Sequence, residues 1–212
     1  MTRRLLFLSA LVVFLAGAAP LGAQRAGVEV VVQAGAAMAE GPLVRTTNVL
    51  DRNTRDLLAN GFPVRLHYRL ELWTTGGWFN DLQRDTEWDV VLRYHALSKS
   101  YRLARILGDS AMPLGQFPDL EGAERALERP VLVPLAPRRG TRQYYTVSLE
   151  VETLSLSDLD EVERWLRGEL RPAVRGRRNP GTAITRGVRT LFVRLLGGEK
   201  KEYEARSGTF RA

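Results

Sequence analysis

The sequence predicts a mainly β protein: an antiparallel β-sheet or sandwich domain followed by a C-terminal pair of amphipathic helices. Three observations carry that expectation. Val64, Leu66, Tyr68, Leu70 and Leu72 alternate strictly with Arg65, His67, Arg69 and Glu71, and Trp88, Val90, Leu92 and Tyr94 continue the habit a few residues later. Tyr145, Val147, Leu149 and Val151 repeat it, and a period of two puts every apolar side chain on one face of a strand. Beyond Ser157 the period becomes helical, through Leu159, Val162, Leu166 and Leu170 and then Ile184, Val188, Leu191, Phe192, Leu195 and Leu196.

Taken in order, the chain opens with Arg3 and Arg4 before an uncharged run from Leu5 to Ala19, and Ala23 offers a small residue for cleavage. The run is shorter than the roughly 20 residues a membrane-spanning helix needs, so residues 1–23 read as a signal peptide and the mature chain begins at Gln24. The expected location is the periplasm or cell envelope. Residues 24–155 read as the antiparallel β domain. Val28 to Val32 is β-rich, Ala34 to Gly41 reads as a loop or loose edge, and a short helix is expected from Thr47, with Val49, Leu50, Leu57 and Leu58 apolar and Asn60-Gly61 as its stop. The alternating runs on either side of Thr74 to Gly77 predict a long antiparallel hairpin.

Tyr101 to Leu107 is a shorter strand and Leu120 to Leu127 a brief helix; Pro130 then isolates the apolar Val131, Leu132 and Val133. Pro134, Pro137 and Gly140 force a loop before the third strong strand. Residues 156–198 read as the basic helical pair, with a capping-box pattern at Ser157 and Asp160, a break at Pro172 and a stop at Gly197-Gly198. Residues 199–212 read as a polar, mobile tail.

The stretch Asn60-Gly61-Phe62-Pro63 leading into the first long strand, the Trp78-Phe79-Asn80-Asp81 segment, and Leu92 to Ser98 with Tyr101-Arg102-Leu103 resemble a family of exported bacterial proteins, domain of unknown function 4390. The resemblance covers roughly residues 28–151. It implies a signal peptide and a compact β-rich domain, and no chemistry. It also implies that family members finish soon after the third strong strand, so that the basic helices are an addition in this chain.

Hydrophobic residues make up 44% and charged residues 26% of the chain, the balance of a globular domain. There is no cysteine, so the exported protein stands on packing without disulfides or an N-terminal lipid. The net charge of +7 favours anionic partners. Lysine occurs only at Lys99, Lys200 and Lys201, an arginine skew that follows genome composition, and export argues against nucleic acid as the partner.

Candidate chemistry is sparse. Asp85, Glu87 and Asp89 put three carboxylates on one strand face about 6.6 Å apart, within the range of about 5 to 9.5 Å used by glycoside-hydrolysing pairs. The plainer reading is that they pair across the hairpin with Arg65, His67 and Arg69. His67 and His95 are the two histidines and show no metal-ligand spacing, and Ser98, Ser100 and Ser110 lie in no nucleophile motif. No metal or cofactor is expected. Trp73, Trp78, Phe79 and Trp88 gather near the hairpin end; Trp88 follows the apolar face into the core, and Trp78 and Phe79 are candidates for a contact surface. Arg164, Arg167, Arg171, Arg175, Arg177 and Arg178, continued by Arg186, Arg189 and Arg194, suit either an anionic surface or a solvated rim on helices docked against the sheet. The expected function is a non-enzymatic, exported binding or interaction module for an envelope protein or anionic envelope component. The alternatives are a peripheral membrane module using the basic helices and a carbohydrate hydrolase using the strand carboxylates.

Overall fold

In the computed structural model, residues 25–76, 79–108, 110–154 and 200–212 are described. Among them, in chain order, are β1 (Gly27–Val31), β2 (Leu43–Thr47), α1 (Arg52–Ala59), β3 (Val64–Gly76), β4 (Phe79–His95), β5 (Ser100–Leu107), β6 (Ser110–Phe117), α2 (Leu120–Leu127), β7 (Val131–Leu132), β8 (Arg142–Thr153), β9 (Lys201–Arg206) and β10 (Phe210–Arg211). The protein is mainly β, and its strands pair antiparallel. The larger sheet runs β10-β8-β3-β4-β5-β6, with β9 also on β8, and a smaller sheet runs β1-β2-β7.

The alternation at Val64 fixes the centre of the larger sheet. Val64, Leu66, Leu70 and Leu72 of β3 are fully buried, and the register sets Leu66 between Val90 of β4 and Val151 of β8. Tyr68 sits between Trp88 and Leu149 and stacks on the Trp88 ring at 4.9 Å. One face of the sheet is therefore a continuous apolar layer, and slipping any strand by one residue would expose it. Val28, Val30 and Val44 of the smaller sheet, Leu58 of α1, and Ala123 and Leu127 of α2 close over that layer.

Local signals set the ends of the elements. Asp51 caps α1 by accepting the Thr54 N–H at 2.9 Å, and Gly61 turns the chain out of the helix with φ +93°. Gly41 has φ +121° and lies against the Val133 backbone, where a Cβ would collide with the carbonyl oxygen. Only glycine lets β2 begin so close to the segment that carries β7.

Several expectations need correction. The stretch from Ala34 holds a 3-10 helix, Gly35–Glu40. The first helix starts at Arg52, because Val49 and Leu50 serve as buried linker residues ahead of the Asp51 cap. The tail expected to be mobile forms β9 and β10: Tyr203 pairs with Leu149 and Phe210 stacks on Tyr145 at 5.4 Å. Its core-facing residues are too few to announce a strand, yet β8 supplies the hydrogen-bonding edge. The sheet thus draws on chain well beyond residue 155. β6 escaped the sequence reading because Pro113 sits inside it, which an edge strand tolerates. The expected C-terminal helical pair lies outside the described residues.

Candidate functional site

The three strand carboxylates lie on the second face of the larger sheet, as the alternation requires, and each one is engaged. Asp89 stands directly opposite His67, with Oδ1 2.8 Å from Nδ1, and takes the Arg65 guanidinium at 3.0 Å. Arg65 also reaches Glu152 on β8 at 2.7 Å. Arg69 holds Glu71 at 3.0 Å, Asp85 at 3.3 Å and Glu87 at 3.5 Å. Glu71 in turn accepts the Trp73 indole N–H at 2.9 Å and the Thr146 hydroxyl at 3.0 Å. The cross-hairpin pairing expected of Asp85, Glu87 and Asp89 with Arg65, His67 and Arg69 is what the geometry contains.

Electrostatics follow from burial. Burial pushes the Asp89 carboxyl up, but the His67 hydrogen bond and the Arg65 guanidinium outweigh it and hold Asp89 below the ordinary carboxylate range. Burial pulls Arg65 down, and Asp89 and Glu152 more than compensate, so its charge is fixed more firmly than usual. An acid lowered in this way stays ionised and is a poor proton donor near neutral pH.

His95 closes the turn between β4 and β5: its Nδ1 lies 2.8 Å from the Ser98 hydroxyl and accepts the Ser98 N–H at 3.2 Å. Ser98 continues to Ser100, which accepts from Gln116. Trp88 is buried, as expected, whereas Phe79 is 82% exposed at the hairpin tip. Trp78 and the arginines Arg164, Arg167, Arg171, Arg175, Arg177, Arg178, Arg186, Arg189 and Arg194 lie outside the described residues.

A different arrangement occurs where the two sheets meet. Val44 and Thr46 of β2, Val131 of β7 and the end of α2 face Tyr68, Trp88, Val90, Leu103 and Leu114 across a cleft of about 30 Å3. That is room for a water molecule or two. At its floor the Tyr68 hydroxyl and the Thr46 hydroxyl are 2.8 Å apart, a buried link from one sheet to the other. Burial pushes the Tyr68 phenol up to about 12, so it remains protonated.

Arg105 and Arg129 line this cleft, and neither has an ion-pair partner among the described residues. The Arg105 Nε is buried without a hydrogen-bond acceptor. Beside them β6 forms the edge of the larger sheet, with Met112 51% and Leu114 37% exposed. Sequence reasoning missed this group. The available signal was charge imbalance: from Ala96 to Phe117 the chain carries Lys99, Arg102 and Arg105 against Asp109 alone.

No curated protein and no solved structure matches the chain. A family model does match, over residues 43–167, starting at β2 and running past the end of β8, further than the third strand where the resemblance stopped. It leaves β1, β9 and β10 outside the matched stretch. That match spans more than half of the sequence, and the protein therefore belongs to the family described as Domain of unknown function (DUF4390).

Proposed function

We propose that the protein is exported, matures after Ala23 and works in the cell envelope as a non-enzymatic binding module. The observation that carries the reading is the pairing of uncompensated arginine with exposed apolar surface: Arg105 and Arg129 line the cleft beside Met112 and Leu114. Arg129 is exposed, whereas Arg105 is half-buried with its Nε shielded from water; a shielded donor without an acceptor is costly, and an anionic partner supplies one. The strand carboxylates offer a hydrolase little, because Arg65, His67 and Arg69 already occupy Asp85, Glu87 and Asp89. Export rests on the leader pattern of residues 1–23.

The test is photo-cross-linking in living cells from position 112, with position 69 on the paired face as control. The expected result is a discrete partner from position 112 alone, on a mature chain beginning at Gln24. An uncleaved precursor in the cytosol removes the export reading. Equal capture from both positions, or hydrolysis of an envelope polysaccharide that Asp85→Asn abolishes, removes the binding-module reading. Flotation with anionic vesicles that disappears on deleting residues 157–198 assigns the role to lipid instead.

A further inference from the structure

Resting on the binding-module reading, we propose that the cleft and the free edge of β6 together take a short extended segment of a partner protein. A carboxylate side chain of that segment enters the cleft to meet Arg105 and Arg129, and apolar neighbours lie on Met112 and Leu114.

Size selects the ligand chemistry. Small-molecule sites commonly enclose about 300 to 1,000 Å3. A cleft of about 30 Å3 holds the head of one side chain and excludes a sugar ring or an acyl tail. Charge selects the head. Arg129 follows the C-cap of α2, where a cation also complements the helix dipole, but that accounts for nothing at Arg105, which sits on a strand with its Nε buried and unsatisfied. The phenol of Tyr68 stays protonated and spans to Thr46, so it places no anion against the two guanidinium groups.

The edge selects an extended partner. Ser110 to Leu114 are exposed throughout and carry no charge, and among the described residues β6 has no strand on its outer side. A strand edge in that state presents free N–H and C=O groups that another backbone can pair with. Pro113 removes one donor and the ladder shifts register between Leu103 and Ala104, which limits any added strand to a few residues. Both features keep identical copies of β6 from stacking edge to edge over any length, which favours a short segment from another protein over self-association.

The experiment titrates the mature chain with three probes: an amidated heptapeptide of alternating valine and glutamate, its valine–glutamine counterpart, and phosphatidylglycerol vesicles. The glutamate peptide is expected to bind at least about tenfold more tightly than the glutamine peptide, with added salt weakening the former. Arg105→Gln and Arg129→Gln are each expected to weaken it about fivefold, and Met112→Asp to do the same by repulsion, with far-UV circular dichroism unchanged. Equal affinity for the two peptides, an affinity untouched by the double arginine variant, or a loss in that variant confined to vesicle binding would each overturn the proposal. If the partner cross-linked from position 112 is recovered undiminished by the double variant, the carboxylate assignment falls while the binding-module reading stands. If no partner is recovered at all, that broader reading falls first.

Discussion

Arg65 and Arg69 on β3 each meet two or more carboxylates, whereas Arg102 and Arg105 on β5, two strands away in the same sheet, meet none among the described residues. The backbone is the same antiparallel ladder in both places. What differs is the neighbouring strand: β3 runs between β4 and β8, both of which place Asp or Glu opposite it, while β5 is flanked on its outer side by β6, which has no acid at all. The difference separates two uses of arginine. On β3 a guanidinium is part of the fold, its charge cancelled within the sheet. On β5 it is half-buried and meets no carboxylate among the described residues, and such groups are where binding energy can be recovered.

The largest effect that sharpens this contrast is Arg65→Ala. Arg65 side-chain exposure is 12% and that of Asp89 17%, so removing the cation leaves Asp89 and Glu152 facing each other in a half-dry site. A loss of about 3 kcal/mol in urea unfolding is expected. A loss under about 0.5 kcal/mol would mean that the paired face is no more committed to stability than the cleft end.

Acid titration gives the next test. The folded Asp89 carboxyl lies below its unfolded value of about 3.9, so its contribution is fully present above that pH and drains away as pH falls through the folded value. Asp51, lowered to about 2 by the Lys201 hydrogen bond and by Thr54, behaves likewise. Stability should fall steeply below about pH 4, and Asp89→Asn should flatten that slope. Arg102→Ala and Arg105→Gln should leave it as it is, since no carboxylate titrates against them. An unchanged slope in Asp89→Asn would show that the acid sensitivity lies elsewhere.

The paired half was legible in the sequence and the unpaired half was not, for physical reasons. Alternation at Val64 to Leu72 and Trp88 to Tyr94 fixes which residues share a face, and once the hairpin is antiparallel, Arg65, His67 and Arg69 must face Asp85, Glu87 and Asp89. The cleft depends on contacts far apart in the chain: Thr46 meets Tyr68, and the end of α2 meets β5 and β6. No local period encodes those. β6 hides behind Pro113, β2 is only five residues long, and β9 shows two apolar positions, Tyr203 and Ala205, whose meaning comes from the waiting edge of β8. The helix Leu120–Leu127 was readable to the residue because its Asp119 cap and its stop before Pro130 are both local.

A smaller effect probes the wall shared by both halves. Tyr68→Phe keeps the ring stacked on Trp88 but leaves the buried Thr46 hydroxyl without its partner, and about 1 kcal/mol of stability should be lost. Thr46→Val in the same background should recover most of it, because both polar groups are then gone. Failure of that rescue would show that the hydroxyl pair does more than satisfy itself across the sheets.

The smallest expected effects are the most telling. Arg102→Ala and Arg129→Ala remove charges that the described structure leaves uncompensated, so neither breaks an ion pair or exposes a carboxylate. Each should change unfolding free energy by no more than about 0.5 kcal/mol. Repulsion argues for a slight gain, because Arg102 stands opposite Arg93 in the β4–β5 register and relieving a like-charge pair is favourable. The half-buried Arg102 side chain also loses packing on truncation, which opposes that gain, so a near-cancellation is the expected reading in urea. Near-zero values here beside a large value at Arg65 are what separates arginines whose charge is cancelled within the sheet from arginines that meet no carboxylate among the described residues. A loss of about 2 kcal/mol at Arg129 would instead make it a structural cap on α2 and remove it from the cleft's chemistry.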